Sequence, residues 1–72
     1  MRNVYSQEYK AFLKKLKAAR IGAKITQVHA ARLLKKPQSF ISKAESGERR
    51  LDIIEVTYFA KLYKKPIGFF VD

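Results

Sequence analysis

The chain of 72 residues has no cysteine and no tryptophan, two prolines, three glycines, and six acidic side chains against sixteen lysines and arginines. Lack of cysteine excludes a disulfide framework and cysteine-ligated zinc, and suits a reducing compartment. Apolar runs stop at four or five residues, too short for a transmembrane helix. The opening residues MRNVYSQEYK carry no apolar stretch of the signal-peptide kind, so the expected location is the cytoplasm, without a membrane partner. No nucleophile–base pair, metal-ligand cluster or phosphate-binding loop is visible, which argues against an enzyme and against any cofactor or metal. A domain of this size buries only ~60% of its unfolded surface, leaving little room for a deep catalytic cleft.

Apolar residues make up 47% of the chain, enough to build a core rather than a disordered basic tail. The formal net charge is +10, and a charge of this size favours a polyanionic partner. Its placement is uneven. Arg2 to Lys43 holds eleven basic residues and one acid, Glu8, whereas Ala44 to Asp72 holds five of each sign.

No stretch alternates as a strand does; apolar residues recur at three and four. Breaks around Gly22, Lys35-Lys36-Pro37, Gly47 to Leu51 and Lys65-Pro66 divide a single domain, residues 1–72, into five predicted helices. The first spans about Gln7 to Ile21, with Ser6 as N-cap and Tyr9, Phe12, Leu13, Leu16 and Ala19 on one arc. Lys10, Lys14 and Lys17 form a stripe beside it, read as a solvated face or as a flank to a polyanion. Arg20 falls inside the apolar arc, so it needs an acidic partner. The second helix, Gln27 to Leu34, is capped by Thr26 and turns Val28, Ala31 and Leu34 inward. The third starts at Pro37 as its first residue and ends near Ser46, with Gly47 as left-handed stop.

This third helix separates sharply into two sides. Phe40, Ile41 and Ala44 share one; Gln38, Ser39, Ser42, Lys43 and Ser46 share the other. A side of amides, hydroxyls and one cation, with no carboxylate, suits a phosphate-lined groove. Glu45 lies at the border beside Ile41 and is the candidate partner for Arg20. The fourth helix, Ile53 to Lys64, opens with an Asp52/Glu55 capping box. It places Ile53, Val56, Phe59, Ala60 and Tyr63 on one side and Ile54, Tyr58 and Leu62 on another. Pro66 opens a fifth, Ile67 to about Val71, which brings Phe69 and Phe70 to the core or to a dimer seam.

Two short helices joined by Lys35-Lys36, the second with an acid-free polar face, form a helix-turn-helix. The segment from Ile25 to about Leu62 resembles the phage-repressor Cro/CI (XRE) type. The matching residues are Ile25-Thr26-Gln27, Ala31, Leu34, Gln38-Ser39-Phe40-Ile41-Ser42-Lys43 and Glu45-Ser46-Gly47. With Leu16 and Arg20 upstream and the last helix included, the likeness covers nearly the whole chain. It implies a compact all-α, five-helix lambda-repressor-like domain that binds double-stranded DNA, usually as a two-fold homodimer. Carried over by position, Gln38, Ser39, Ser42 and Lys43 face base edges. Gln27, Ser46, Arg49 and Arg50 hold phosphates, with Lys36 a further candidate, and Arg20 pairs with Glu45. The chemistry agrees: one amide reads adenine N6 and N7 together, and lysine donates to guanine O6 or N7.

Two positions depart from the family pattern, Lys35 where glycine is usual and Lys36 where an apolar residue is usual. A left-handed Lys35 costs roughly 1 kcal/mol, so a reshaped turn is expected there. His29, the sole histidine, is read as surface-polar, with a phosphate contact as the minor alternative. The resulting expectation is a transcriptional regulator, a repressor acting as a homodimer on a palindromic operator. Its dimer surface is drawn from Tyr58, Leu62, Ile67, Phe69 and Phe70. A second reading is an antitoxin or controller whose main partner is another protein; the lack of a long extra tail lowers it. A membrane-surface or RNA-binding module is disfavoured, because the apolar stripe beside the lysines is needed for the core.

Overall fold

Leu16, Ile41 and Phe59 come from three different helices and are the largest side chains fully shielded from solvent. In the computed structural model, which describes residues 6–71, the elements are α1 (Gln7–Gly22), α2 (Gln27–Leu34), α3 (Gln38–Ser46), α4 (Ile53–Tyr63) and α5 (Ile67–Val71). The chain is therefore a five-helix all-α domain. No helix among the described residues is long and apolar enough to cross a membrane.

Each helix start has a local cause. Ser6 Oγ accepts from the Tyr9 amide at 3.1 Å, and Thr26 Oγ1 accepts from the His29 amide at 3.0 Å. Asp52 and Glu55 form the reciprocal capping box, at 2.8 and 3.1 Å, satisfying two orphan donors. Pro37 is the N-cap of α3, so the helix begins at Gln38, one residue later than expected: the extended φ −66°, ψ 154° of Pro37 precedes the first helical turn.

The helix ends share one device. After α1, α2 and α4 the chain closes with paired bonds, one amide reaching back three residues and the next reaching back five: Lys24→Ile21 with Ile25→Arg20, Lys35→Arg32 with Lys36→Ala31, and Lys64→Lys61 with Lys65→Ala60. This closure needs one left-handed residue, and the residue is lysine each time: Lys24, Lys35 and Lys64, with φ of 59–60°. The expected reshaping of the Lys35-Lys36 turn does not occur. Two backbone bonds hold the ordinary turn, and lysine bears the steric cost in place of glycine. Gly47, at φ 88°, ends α3.

Small residues bring α2 and α3 together. Ala30, Ala31 and Ala44 are all buried, so the two backbones approach closely across the turn. Ala30, not Val28, accompanies Ala31 inward; Val28 is about half exposed because α2 meets the core on the narrow alanine side. Ile53, in the first turn of α4, is also exposed, whereas Leu51 before the helix and Val56 within it are buried. Phe12 packs edge-on against Phe70, with ring centroids 6.3 Å apart. That contact removes Phe70, 2% exposed, from the expected dimer surface, because α5 folds back against α1 and α4. Tyr58 and Ile67 remain exposed, and Leu62 and Phe69 are partly covered.

Tyr63 is buried, and its hydroxyl has no hydrogen-bond partner among the described residues. Burial, aided by the nearby Glu45 carboxylate and opposed by Arg20, pushes its pKa well above the ordinary tyrosine value. Below pH ~10 tyrosine is neutral in both folded and unfolded chains, so the full stability is present. Above it the unfolded chain ionises first, and stability falls as pH rises. Tyr63→Phe is expected to keep or raise the melting temperature at pH 7, since an unsatisfied buried hydroxyl is lost, and to flatten its decline between pH 9 and 11. Thermal melts across that range check both effects.

Candidate nucleic-acid interface

The outer side of α3 exposes Gln38, Ser39, Ser42, Lys43 and Ser46, while Ile41 and Ala44 are buried beneath it. The structure thus gathers all four expected base-reading side chains on one unobstructed face. Serines at two of these positions keep the face low, so the helix axis can approach a groove closely.

Beneath the face runs a chain of polar contacts that starts in the core. Arg20 Nε donates to Glu45 Oε2 at 2.6 Å, Nη2 donates to Glu45 Oε1 at 3.2 Å, and Nη1 donates to the Ile25 carbonyl at 2.9 Å. The two side chains are only 11% and 5% exposed, so this forked pair is a largely desolvated one. The hydrogen bond to Glu45 holds the guanidinium pKa above its already high value, outweighing the opposite effect of burial. From Glu45 the chain continues outward: Gln27 Nε2 donates to Glu45 Oε1 at 3.1 Å, and Gln38 Nε2 donates to Gln27 Oε1 at 3.3 Å. One arginine of α1 therefore ties down the turn before α2, the last turn of α3 and, through Gln27, the first residue of α3.

The residues expected at phosphates are held in more varied ways. Ser46 Oγ donates to the Lys43 carbonyl at 3.2 Å and accepts from the Glu48 amide at 3.3 Å, shaping the exit from α3. Arg49 lies over the Phe40 ring, 5.0 Å from its centroid, and pairs with Glu55. Lys36 Nζ also lies over Phe40, at 5.4 Å, and Phe40 stacks parallel on Phe59 of the core. Lys36 thereby uses an aromatic face where an apolar side chain is usual. The Arg50 guanidinium lies 4.4 Å from the centroid of Tyr9, and the Tyr9 hydroxyl accepts from the Leu51 amide at 3.2 Å.

Three roles were missed in the sequence: Gln27 as a bridge, Glu55 as the partner of Arg49, and Tyr9 as a platform for Arg50. Glu55 had a visible capping role that hid its second oxygen. Tyr9 was counted with the apolar arc, which hid its hydroxyl. His29 is exposed, and no group of acidic or histidine side chains among the described residues is arranged to hold a metal ion.

The helix-turn-helix family model matches residues 16–70. The chain belongs to the helix-turn-helix family of the Cro/CI (XRE) type. No curated protein and no solved structure matches it. Membership makes this a non-enzymatic DNA-binding domain. The matched span begins at Leu16 and ends at Phe70, so it includes both ends of the Arg20–Glu45 pair and all of α2 to α4.

Replacing Arg20 with alanine strands the Glu45 carboxylate in a nearly dry site. The expected loss is roughly 3–5 kcal/mol of stability, measured by urea unfolding. An unchanged midpoint would show that the pair contributes nothing to the fold.

Proposed function

We propose that this domain reads duplex DNA through the outer face of α3, lying in the major groove, and acts as a transcriptional repressor. The observation that carries this reading is that Gln38, Ser39, Ser42 and Lys43 share one exposed, carboxylate-free face on a helix anchored to the core. Gln38 matches adenine, Lys43 matches guanine, and the serines serve either base. Lys36, Arg50 and the lysines of α1 supply sequence-independent attraction to phosphates. Gln27 and Ser46 have polar atoms engaged within the protein, so their phosphate contacts use the remaining donor capacity of each side chain. Arg49 reaches a phosphate by leaving Glu55 or by sharing its other guanidinium nitrogens.

One such domain covers few bases, so a homodimer on a palindrome with half-sites ~34–36 Å apart is the working unit. Tyr58 and Leu62 of α4, with Ile67 and Phe69 of α5, are the proposed contact surface. Tyr58 and Leu62 also line an apolar groove with Leu33, Leu34 and Phe40, which supports a protein partner at this edge of α4.

Gln38→Ala is expected to weaken binding to the preferred site by ~1–3 kcal/mol and to relax base choice at one position. Arg50→Ala should weaken all duplexes alike and reduce the salt slope by about one. Titrations of selected and random duplexes at several salt concentrations separate the two effects. An equal effect of Gln38→Ala on random DNA contradicts the assignment. Sedimentation of the free protein at micromolar concentration tests the dimer, and a single monomeric species counts against it.

A further inference from the structure

We propose that the groove between the α2–α3 turn and α4 takes an acidic, amphipathic segment of a different protein, which competes there with the second copy of this chain. The inference deepens the reading of this edge of α4 as a place for a protein partner, and the competition rests on the proposed dimer contact.

The groove has an apolar interior and a cationic rim. Leu34, Phe40 and Leu62 are partly covered, and Leu33 and Tyr58 beside them are about half exposed. Phe40 stacks parallel on buried Phe59, so the floor is continuous with the core. Lys35, Lys36 and Lys61 also line the groove, and all three are exposed. The backbone bonds that close α2 hold Lys35 and Lys36 in place, and Lys36 Nζ rests over the Phe40 ring. None of these lysines has a carboxylate partner among the described residues. Glu55, the acid of the groove, is already used: Oε1 accepts from the Asp52 amide and Oε2 pairs with Arg49. An exposed apolar patch with a charged border is the anatomy of a protein contact. Unpaired ammonium groups around it are complemented by carboxylates on the partner.

Other occupants match the groove less well. Duplex DNA offers phosphates to the lysines but nothing to cover Leu33 and Leu62. A second copy carries the same net charge of +10. Of its described acids, Glu45, Asp52 and Glu55 are bonded within the chain. Glu48 adjoins Arg49 and Arg50, and Glu8 lines another groove with Lys15 and Arg50. A second copy can therefore meet Tyr58 and Leu62 without satisfying the lysines. A segment with bulky apolar side chains between aspartates or glutamates satisfies both. The two occupants share Tyr58 and Leu62, and Lys36 is also a proposed phosphate contact, so the acidic partner opposes DNA binding. Linkage makes the effect mutual: DNA weakens the partner by the factor by which the partner weakens DNA.

The test selects peptides from a random-sequence display library against the full chain and measures one selected peptide by fluorescence anisotropy. The expected consensus sets leucine or aromatic residues between acidic ones. Tyr58→Ala and Lys61→Glu should each weaken the peptide by about tenfold while melting close to the parent. Lys10→Glu makes the same change in net charge on α1, outside the groove, and should leave the affinity unchanged. Added peptide should release duplex DNA at constant salt. Equal losses in Lys10→Glu and Lys61→Glu would show general attraction to a basic protein and overturn the proposal, as would selected peptides without acidic residues. Conversion of a dimer to a monomer by Leu33→Ser in sedimentation would show a second copy filling the groove, and also overturns it. Peptide bound in the groove with duplex affinity unchanged overturns the competition. None of these failures touches base reading by α3, and failure to select any DNA sequence leaves the peptide measurements standing.

Discussion

Arg20 and Glu45 meet inside a molecule too small to hide a charge cheaply. Their carboxylate–guanidinium fork joins the end of α1 to the end of α3, and the third arginine nitrogen binds the Ile25 carbonyl in the intervening turn. A buried pair of this kind contributes little net stability compared with well-packed apolar residues, but removing one partner is costly. Its value here is geometric. The directional bonds admit one rotation of α3 relative to α1, and the rest of the interface inherits that rotation.

Packing around the pair serves the same end. Ala30, Ala31 and Ala44 let α2 and α3 approach closely, and Leu16, Ile41 and Phe59 fill the space beneath. The helices then stop by a repeated backbone closure that places lysine in the left-handed region at Lys24, Lys35 and Lys64. Each lysine bears a conformational cost of roughly 1–2 kcal/mol relative to a right-handed residue. A cation beyond a helix C-terminus recovers part of it from the helix dipole, typically 0.3–1 kcal/mol. These turns also spread positive charge over the surface. The outer side of α3 adds one cation, Lys43, to the uncharged Gln38, Ser39 and Ser42. In the proposed function, attraction and selection are thus carried largely by different residues.

Most of the helical plan was legible in the sequence, because capping residues and apolar spacing act locally. Ser6, Thr26 and the Asp52/Glu55 pair announce their helices, and Gly47 announces the end of α3. Arg20 stood out because a cation in an apolar arc demands an acid, and Glu45 occupied the facing border. The features that escaped depend on tertiary geometry. Nothing local distinguishes Val28 from Ala30 as the inward residue; the close approach of α3 favours the smaller side chain. Phe70 was placed between core and seam because a five-residue helix has too few turns to define a face. Lys35 was expected to disturb its turn, yet the paired backbone bonds outweigh the residue's own preference. Among the expected phosphate contacts, only the fold reveals that Arg49 rests on Phe40 beside Glu55 and that Gln27 bridges core and surface. Both involve long polar side chains whose reach exceeds any sequence spacing.

The account depends above all on the outer face of α3 choosing sequence while the remaining charge supplies affinity. Selection of bound duplexes from a random pool, followed by sequencing, tests this most directly. The predicted result is an enriched inverted repeat with half-site centres about one helical turn apart and with adenine and guanine at the positions facing Gln38 and Lys43. Recovery of duplexes with no common sequence, bound with an affinity that depends on salt alone, would contradict it.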